Sequence, residues 1–205
     1  MPRKTKRRSY DSTTRRDAAE ETRNRVLDAA LRLFTKRGYA ATTIAAIAKA
    51  SRVSVETIYK GFGGKPGLVR AIRDRALAGV GPVHAEKRSD AMQARETDPR
   101  RIIHSWSKFS AEIAPRVSPI LLLVRDAAAS DPELQREMDD DRLRRMSDNA
   151  KNLQRVGVTG ERKRIRDVLW LATSPEIYEL LVVKRGWSVP AYAELVEQVL
   201  AGALL

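Results

Sequence analysis

The sequence of 205 residues predicts an all-α fold with two domains. Apolar residues recur three and four positions apart along most of the chain, which is the spacing of amphipathic helices. The pairs Asp98-Pro99 and Asp131-Pro132 each supply an N-cap followed by proline, a combination typical of a helix start. A break in this pattern near Gly81-Pro82 separates a small N-terminal domain from a larger C-terminal one.

The N-terminal domain is predicted to begin with an amphipathic helix that ends at Gly38, a residue type that commonly follows helices. The apolar face of this helix consists of Leu27, Ala30, Leu31 and Phe34. A later helix is entered through Pro66, where the missing N–H of proline costs nothing. Its apolar residues are Leu68, Ala71, Ile72 and Ala76.

Between these helices, residues 42–62 predict two short helices separated by a tight turn. Thr42 or Thr43 can cap the first, which should end near Ser51-Arg52, and Ser54 can cap the second. The inward residues are Ile44, Ile47 and Ala48 in the first helix and Ile58 and Phe62 in the second. Such a pair is a helix-turn-helix, in which the second helix presents its outer side chains to the major groove of DNA.

Nearly all of the net charge of +13 belongs to this part of the chain. Residues 1–75 contain 19 Lys+Arg against 7 Asp+Glu, whereas the remaining 130 residues contain 20 against 19. Charge that served only to keep the protein in solution would be spread evenly. The asymmetry therefore indicates a polyanionic partner such as double-stranded DNA.

These residues resemble the DNA-binding domain of the tetracycline-repressor (TetR) family of bacterial regulators. The resemblance rests, without insertion, on Gly38, Thr43, Ile47-Ala48, Val53-Ser54, Thr57, Tyr59, Phe62, Lys65 and Leu68. The family usually has Ala-Gly where this chain has Ser51-Arg52. If the turn requires a positive φ there, Arg52 costs about 1 kcal/mol that glycine would avoid.

The resemblance implies phosphate contacts at Thr43, Thr57, Tyr59 and Lys65, whose hydroxyl, phenol and ammonium groups are suitable donors. Val55 and Glu56 are predicted to contact base edges, because valine can touch a thymine methyl and glutamate can accept from cytosine. The complete predicted DNA-binding set is Thr42, Thr43, Ser54, Val55, Glu56, Thr57, Tyr59, Lys60 and Lys65. The alternatives are a half-buried core position for Tyr59 and plain solvation for Val55 and Glu56.

Residues 1–22 are polar and basic and are predicted to form a flexible arm. Its cations either lie along phosphates or in a minor groove, or belong to a disordered tail, and the sequence favours neither interpretation. They are Arg3, Lys4, Lys6, Arg7 and Arg8. The predicted domains are thus the arm, a DNA-binding domain over 23–80, and a helical effector-binding and dimerisation domain over 81–205.

In the C-terminal domain, residues 79–98 predict a break and residues 99–113 a helix. Residues 119–130 predict a separate, largely buried central helix, and residues 132–156 a highly charged one. A stripe over 165–172, a short helix from Pro175 to about Lys184, and an aliphatic helix over 192–204 complete the chain.

The aliphatic terminal helix is expected to pack on its own domain or on a second subunit, because polar terminal helices fray. Two recognition helices about 34 Å apart can read successive major grooves, so a homodimer matches a palindromic operator. Residues 165–172 and 192–204 are the predicted dimer interface. The run from Ser174 to Ser188 is similar to the ending of many TetR-family members, whose last helices form the dimer.

The C-terminal domain is also expected to sense a small-molecule effector. The proposed pocket residues, which are equally well explained as ordinary core, are Trp106, Phe109, Ile113, Leu121, Leu122, Arg125 and Trp170. Arg125 is the expected partner of an anionic or polar ligand group. A ligand would act by favouring one spacing of the two DNA-binding heads over another.

Other chemistries are disfavoured. The absence of cysteine excludes disulfides, thiolate catalysis and Cys-ligated zinc, and the glycine-rich run 61–67 lacks the Ser or Thr of a Walker loop. His84 and His104 lack a supporting cluster for a metal, and Asp139 to Asp141 is more typical of a solvated helix face. No apolar run approaches the roughly 18 residues of a membrane span, so a soluble, cytoplasmic protein without cofactors is expected.

These observations favour a transcriptional regulator, and a repressor in particular, because a dimer that occupies a promoter blocks the polymerase. The alternative is a basic DNA-coating or architectural protein without a sensor role. An enzyme is a third interpretation, but no catalytic constellation supports it.

Overall fold

The computed structural model describes residues 7–78 and 83–205, with residues 7–13 described by their backbone alone. Within these ranges every regular element is helical and no strand occurs, so the predicted all-α fold is confirmed. The helices are α1 (Arg7–Arg37), α2 (Ile44–Ser51), α3 (Val55–Phe62), α4 (Lys65–Leu77), α5 (Ala85–Gln93), α6 (Pro99–Asp126), α7 (Pro132–Arg155), α8 (Arg162–Ala172), α9 (Pro175–Tyr178) and α10 (Val189–Leu204). A π-helical turn, Glu179–Lys184, follows α9 directly.

The chain divides into two compact units, Met1–Ile72 and Arg73–Leu205. The division falls inside α4, so the boundary predicted near Gly81-Pro82 is wrong. Helix α4 continues from Lys65 to Leu77 without a break. A boundary inside a continuous helix does not change the local amino-acid composition, so the sequence gives no sign of it. Residues 79–82, where the boundary was expected, lie outside the described residues.

Helix α1 begins at Arg7, so the predicted flexible arm is wrong from that residue onward. A helix nucleated by a buried segment extends readily, because each added residue gains one hydrogen bond. Ala18, Ala19 and Glu20 are strong helix formers, and Glu21 pairs with Arg25 one turn later at 3.5 Å. The predicted arm cations Arg3, Lys4 and Lys6 and the side chains of Arg7 and Arg8 lie outside the described residues.

The first unit has a compact apolar core that holds α2 and α3 against α1 and α4. Its fully buried large side chains are Phe34, Ile47, Ile58 and Leu68, each from a different one of these helices. Phe34 also packs on Tyr39, with ring centroids 5.5 Å apart. The predicted inward faces of α1, α2, α3 and α4 therefore meet in one core.

In the second unit, the predicted separate helix over residues 119–130 is wrong, because α6 runs unbroken from Pro99 to Asp126. Pro115 and Pro119 lie inside it and are both exposed, whereas Ala114, Val117 and Ser118 are buried. Each proline removes one main-chain hydrogen bond. On the solvent side water can satisfy the freed carbonyl groups, so the helix continues.

Helix α5 occupies a stretch that was predicted to be a break. Its buried residues, Ala85, Ser89 and Gln93, are four positions apart, but only one of them is apolar. Gln93 Nε2 donates to Ser89 Oγ at 3.1 Å and to Asn149 Oδ1 at 3.3 Å. This helix is held by a polar stripe, which a search for apolar periodicity does not detect.

The C-terminal helices form the core of the second unit, with α8 packed on α7, and α10 packed on α6 and α8. Helix α7 begins at the predicted cap, where Leu134 N–H donates to Asp131 Oδ1 at 3.1 Å. The inner faces of α8 and α10 are buried within the chain itself: Ile165, Leu169, Ala172, Tyr192, Val196 and Leu200. These side chains are core, so only the outer residues of the two segments are available to a second subunit.

Candidate nucleic-acid interface and effector cavity

The turn between α2 and α3 is fixed by hydrogen bonds at both of its ends. Thr43 Oγ1 accepts from Ala46 N–H at 3.1 Å, and Ser54 Oγ accepts from Thr57 N–H at 3.0 Å, which confirms both predicted N-caps. Helix α2 ends in a Schellman motif, in which Val53 N–H donates to the carbonyl of Ala48 at 3.1 Å. The pair of short helices is therefore the predicted helix-turn-helix.

Arg52 occupies the left-handed position of this turn, with φ 57° and ψ 44°. It is the one non-glycine residue with positive φ in the part of the chain that the structure describes. The turn thus requires the conformation in which the family's usual glycine would be unstrained. The predicted cost of about 1 kcal/mol consequently applies to this chain.

Helix α3 buries one side chain and exposes most of the others. Ile58 is fully buried, whereas Val55, Glu56, Tyr59 and Lys60 are exposed and make no hydrogen bond or ion pair with a described residue. Tyr59 is 55% exposed, which contradicts the alternative of a half-buried core position. The outer face of α3 therefore carries apolar, acidic, phenolic and basic groups that are free to bind.

Three exposed hydroxyl groups lie at the starts of α2 and α3. Ser54 Oγ and Thr57 Oγ1 are 2.8 Å apart, and both are exposed. Thr43 is exposed at the first turn of α2. Hydroxyl groups at helix N-termini are suited to binding phosphate oxygens. These three residues therefore have the exposed, helix-terminal positions that the sequence predicts for them.

Thr42 does not belong to the exposed set. It is only 1% exposed, and its hydroxyl donates to the carbonyls of Gly38 at 2.8 Å and Leu33 at 3.2 Å. Of the two threonines that could cap α2, Thr43 does so, and Thr42 instead satisfies carbonyls at the end of α1. The prediction that Thr42 contacts DNA is wrong, because the side chain is enclosed in the core.

Lys65 is half-buried and already bonded within the first unit. Its Nζ donates to the carbonyl of Tyr39 at 2.9 Å and to that of Ala40 at 3.4 Å, and it lies 4.4 Å from the centre of the Tyr39 ring. The ammonium group therefore holds the segment after α1 against the start of α4. A phosphate contact at Lys65 remains a prediction.

Gly67 is a structural residue of this unit that the sequence reasoning missed. A Cβ at this position would lie 1.6 Å from the carbonyl oxygen of Phe62. Only glycine lets the first turn of α4 approach the end of α3 this closely. The signal was a glycine inside a predicted helix, which often marks a close backbone approach.

In residues 7–78 and 83–205, no group of three metal-ligating side chains comes together. His104 Nδ1 lies 2.8 Å from Glu197 Oε2, and Asp141 pairs with Arg73 at 2.7 Å. None of the helices that are described has the length and apolar character of a membrane span.

The second unit contains a cavity of about 420 Å³. Four of the seven predicted pocket residues line it: Trp106, Phe109, Ile113 and Leu121. Leu122 does not line it, and Arg125 and Trp170 line a smaller neighbouring cavity of about 200 Å³. The cavity therefore has four of the predicted residues in its lining, and ligand binding there remains a prediction.

The prediction that Arg125 binds a ligand is wrong for the larger cavity. Arg125 is exposed, and its guanidinium donates to Asp126 at 2.9 Å and to Glu176 at 3.1 Å. The hydrogen bond that Arg125 donates to Asp126 is the main cause that raises the pKa of Arg125, against a smaller opposing effect of burial. Its charge is already satisfied by protein carboxylates.

Arg142 of α7 is the cavity arginine that the sequence reasoning missed. Its guanidinium stacks 3.9 Å from the centre of the Trp170 ring and donates to the carbonyl of Thr173 at 3.3 Å. Burial lowers its pKa, with Glu176 and Asp139 opposing that effect at longer range. Because Arg142 belongs to a strongly charged helix, the sequence alone indicates a solvated side chain at this position.

Five large apolar side chains in and beside the C-terminal helices are exposed. We call them together the outer apolar patch: Leu171, Leu180, Val183, Trp187 and Val199. They come from α8, the π-helical turn with the residues after it, and α10, and α10 packs against both of the other elements. Large apolar groups exposed in such number mark interaction surfaces.

Residues 26–72 match the family described as "Bacterial regulatory proteins, tetR family". Over 108 residues, the chain is 32% identical to the HTH-type transcriptional regulator YvkB of Bacillus subtilis (strain 168), which covers 52% of this chain and 53% of YvkB. The chain thus spans about half the length of this curated relative.

Solved structures extend the likeness to the fold of the whole chain. NalD of Pseudomonas aeruginosa, described as the secondary repressor of a multidrug efflux pump, superposes with a TM-score of 0.67 at 19% identity, covering 92% of this chain and 98% of NalD. A transcriptional regulator of Aquifex aeolicus VF5 gives 0.62 at 19% identity, with 88% and 98% covered. Residues 26–72 of this chain are therefore similar to the tetR family of bacterial regulatory proteins, and most of the chain shares the fold of these solved regulators.

Proposed function

We propose that the protein is a homodimeric transcriptional repressor that binds a palindromic operator and is released by a small-molecule effector. The observation that carries the proposal is the outer face of α3, where Val55, Glu56, Tyr59 and Lys60 are exposed and unpartnered. These groups can contact thymine methyls, cytosine amines and phosphates. The surplus of cations in the first 75 residues supplies the sequence-independent attraction to DNA.

Repression is the simplest activity for such a protein, because a dimer seated on a promoter excludes polymerase without further contacts. The NalD protein, which has a similar fold, is described as a repressor. The cavity of the second unit supports the sensor role, since about 420 Å³ is the size of many small-molecule sites. An effector would release DNA by binding better to a dimer whose heads do not match the operator spacing.

The dimer is proposed to form through the outer apolar patch rather than through the buried stripes of α8 and α10. Val183 is the most exposed of its large side chains, at 67%. We expect Val183→Glu to convert the dimer to a monomer in sedimentation equilibrium at micromolar concentration. Val83→Glu is the matched control, because Val83 is also exposed but lies outside the patch. A dimer that survives Val183→Glu would contradict this interface.

Selection of operators from a random duplex library, followed by footprinting, tests the DNA-binding part of the proposal. A short protected palindrome is expected. Uniform coverage without a preferred sequence would instead support the alternative, a DNA-coating protein without a sensor role. The salt concentration must be held fixed, because non-specific binding to DNA is steeply salt-dependent.

Variants of α3 test the proposed DNA face. Lys60→Ala should weaken operator binding and lower the slope of log affinity against log salt by about one, the effect of losing one phosphate contact. Tyr59→Phe removes only a hydroxyl group and should weaken binding as well. Lys151→Ala is the control, because this exposed lysine of α7 carries the same charge in the other unit. Unchanged operator affinity in both α3 variants would refute the assignment.

Lys65 is a poor choice for this test. Its ammonium group holds the carbonyls of Tyr39 and Ala40, so its replacement would disturb the fold as well as any DNA contact.

A further inference from the structure

We infer that the cavity of the second unit binds a small apolar molecule with one carboxylate group, and that Arg142 and Tyr192 hold the carboxylate. This inference rests on the effector-binding part of the proposed function and specifies the chemical class of the effector.

The walls of the cavity are mainly apolar. Side chains from three helices contribute Trp106, Phe109, Ile113, Leu121, Leu169 and Leu200. Apolar walls of this kind favour ligands that bury hydrocarbon or aromatic surface, with a few polar groups to fix the orientation. The body of the ligand is therefore expected to be apolar.

Arg142 brings a positive charge into this lining without a carboxylate partner. Only its Nη2 donates, to the carbonyls of Trp170 at 3.4 Å and Thr173 at 3.3 Å. Its Nε and Nη1 form no hydrogen bond with a described residue. A half-buried guanidinium left this way loses hydration that protein groups do not replace, and burial accordingly lowers its pKa.

The carboxylates nearest to Arg142 are engaged elsewhere. Glu176 Oε1 accepts from Arg125 at 3.1 Å, and Asp139 Oδ2 accepts from Gln135 at 2.6 Å. They raise the pKa of Arg142 only at a distance, without a hydrogen bond to it. The Nε and Nη1 groups of Arg142 remain free to donate, and a charge-assisted hydrogen bond from either of them suits a carboxylate oxygen.

Two further donors belong to the same lining. Tyr192 is only 1% exposed, its hydroxyl has no hydrogen-bond partner among the described residues, and it is close enough to Arg142 to feel its charge. Trp106 Nε1 is buried and likewise has no partner there. Because the unsatisfied groups all have protons to donate, the group that is missing is an acceptor.

The remaining charged groups of the lining do not compete for this role. Arg73 pairs with Asp141 at 2.7 Å, and Arg145 pairs with Asp90. Glu86 and Asp148 are exposed to solvent. Arg142 is therefore the lining arginine whose charge no protein carboxylate satisfies, within the part of the chain that the structure describes.

Calorimetric titration of the full-length protein with matched ligand pairs tests the inference. The probes are indole-3-acetate, 2-naphthoate and decanoate, each compared with its own primary amide. We expect at least one carboxylate to bind, and its amide to bind at least tenfold more weakly, because the amide keeps the shape and loses the charge. Equal binding of acid and amide, or no binding of any of the three acids, would overturn the inference.

Variants then locate the carboxylate. Arg142→Met, which keeps an unbranched stem and removes the charged guanidinium, should abolish the preference for the acid over the amide. Tyr192→Phe removes one hydroxyl group and should weaken binding of the acid several-fold while leaving the amide unchanged. Arg136→Met is the control, since this exposed arginine of the same helix lines neither cavity, and its affinities should equal those of the wild type.

Arg142 also binds carbonyls at the end of α8, so Arg142→Met could fail to fold, and Arg142→Lys with circular dichroism covers that case. Lysine keeps the charge without the guanidinium N–H groups, and a weaker but retained acid preference is expected. A preference that is unchanged in a folded Arg142 variant would refute the assignment. The calorimetry needs no DNA, so it can fail while operator binding and release succeed, and the reverse failure would refute the proposed function instead.

Discussion

Replacement of Arg52 by glycine should stabilise the protein. Arg52 holds φ 57° in the turn between α2 and α3, where a Cβ crowds the following carbonyl oxygen. Its backbone is fixed there by hydrogen bonds from Arg52 N–H to the carbonyl of Lys49 at 3.4 Å and from Val53 N–H to that of Ala48 at 3.1 Å. The turn therefore cannot relax to remove the strain.

The expected gain follows from two opposing effects. A left-handed conformation costs an L-residue roughly 1–2 kcal/mol that glycine avoids. Glycine in turn loses about 0.5–1 kcal/mol more backbone entropy on folding. The net stabilisation is about 0.5–1 kcal/mol. It corresponds to a rise in Tm of roughly 2–6 °C if the first unit unfolds alone, or about 1–3 °C if all of the chain unfolds together.

Thermal unfolding followed by far-ultraviolet circular dichroism measures this rise, with Arg52→Ala as the matched control. Alanine removes the charge and keeps the steric conflict, so Arg52→Ala should not gain stability. All three tryptophans, Trp106, Trp170 and Trp187, lie in the second unit, so their fluorescence shows whether that unit unfolds in the same transition. An Arg52→Gly protein no more stable than Arg52→Ala would refute the argument from backbone strain.

Three further substitutions test other parts of the structure. Gly67→Ala should lower the free energy of unfolding by about 3 kcal/mol or more, because its Cβ would lie 1.6 Å from the Phe62 carbonyl oxygen. Gly61→Ala, with nothing within 4 Å of its Cβ, should raise it by about 0.5–1 kcal/mol. Equal Tm values for the two variants would disprove this. Thr42→Val should lower the free energy of unfolding in urea by about 1–3 kcal/mol, and loss of operator affinity by a fully folded variant would contradict the buried role. Burial raises the pKa of Tyr192 to about 12, so the stability it contributes is complete below pH 10 and is lost as pH rises from 10 through 12. Tyr192→Phe should remove about 2–3 kcal/mol of that alkaline loss in urea titrations at pH 9 and 12, and an unchanged loss would count against it.

The features that local rules govern could be predicted from the sequence. The caps Thr43 and Ser54 and the end of α2 at Ser51 follow from the preferences of individual residues for helix ends, and those preferences act within four positions. The outward face of α3 follows from helical spacing once Ile58 is identified as core. The candidate DNA surface was therefore largely predictable.

Contacts between distant residues could not be predicted in this way. Thr42 and Thr43 are equivalent as local caps, and only the end of α1 decides that Thr42 points into the core. Lys65 is drawn inward by carbonyls twenty-five and twenty-six positions away. Arg142 is set apart by Trp170 and Thr173 of another helix, so nothing in its own neighbourhood distinguishes it from the other arginines of α7.

Helix α6 has a consequence for the range of molecules that the protein can hold. Pro115 and Pro119 remove two main-chain hydrogen bonds from this helix. They lie in the stretch whose Ile113, Val117 and Leu121 line the cavity. A helix that lacks main-chain hydrogen bonds bends at a lower energy cost than an intact helix. This wall of the cavity can therefore move outward when a larger ligand binds. We expect the protein to accept ligands of different widths.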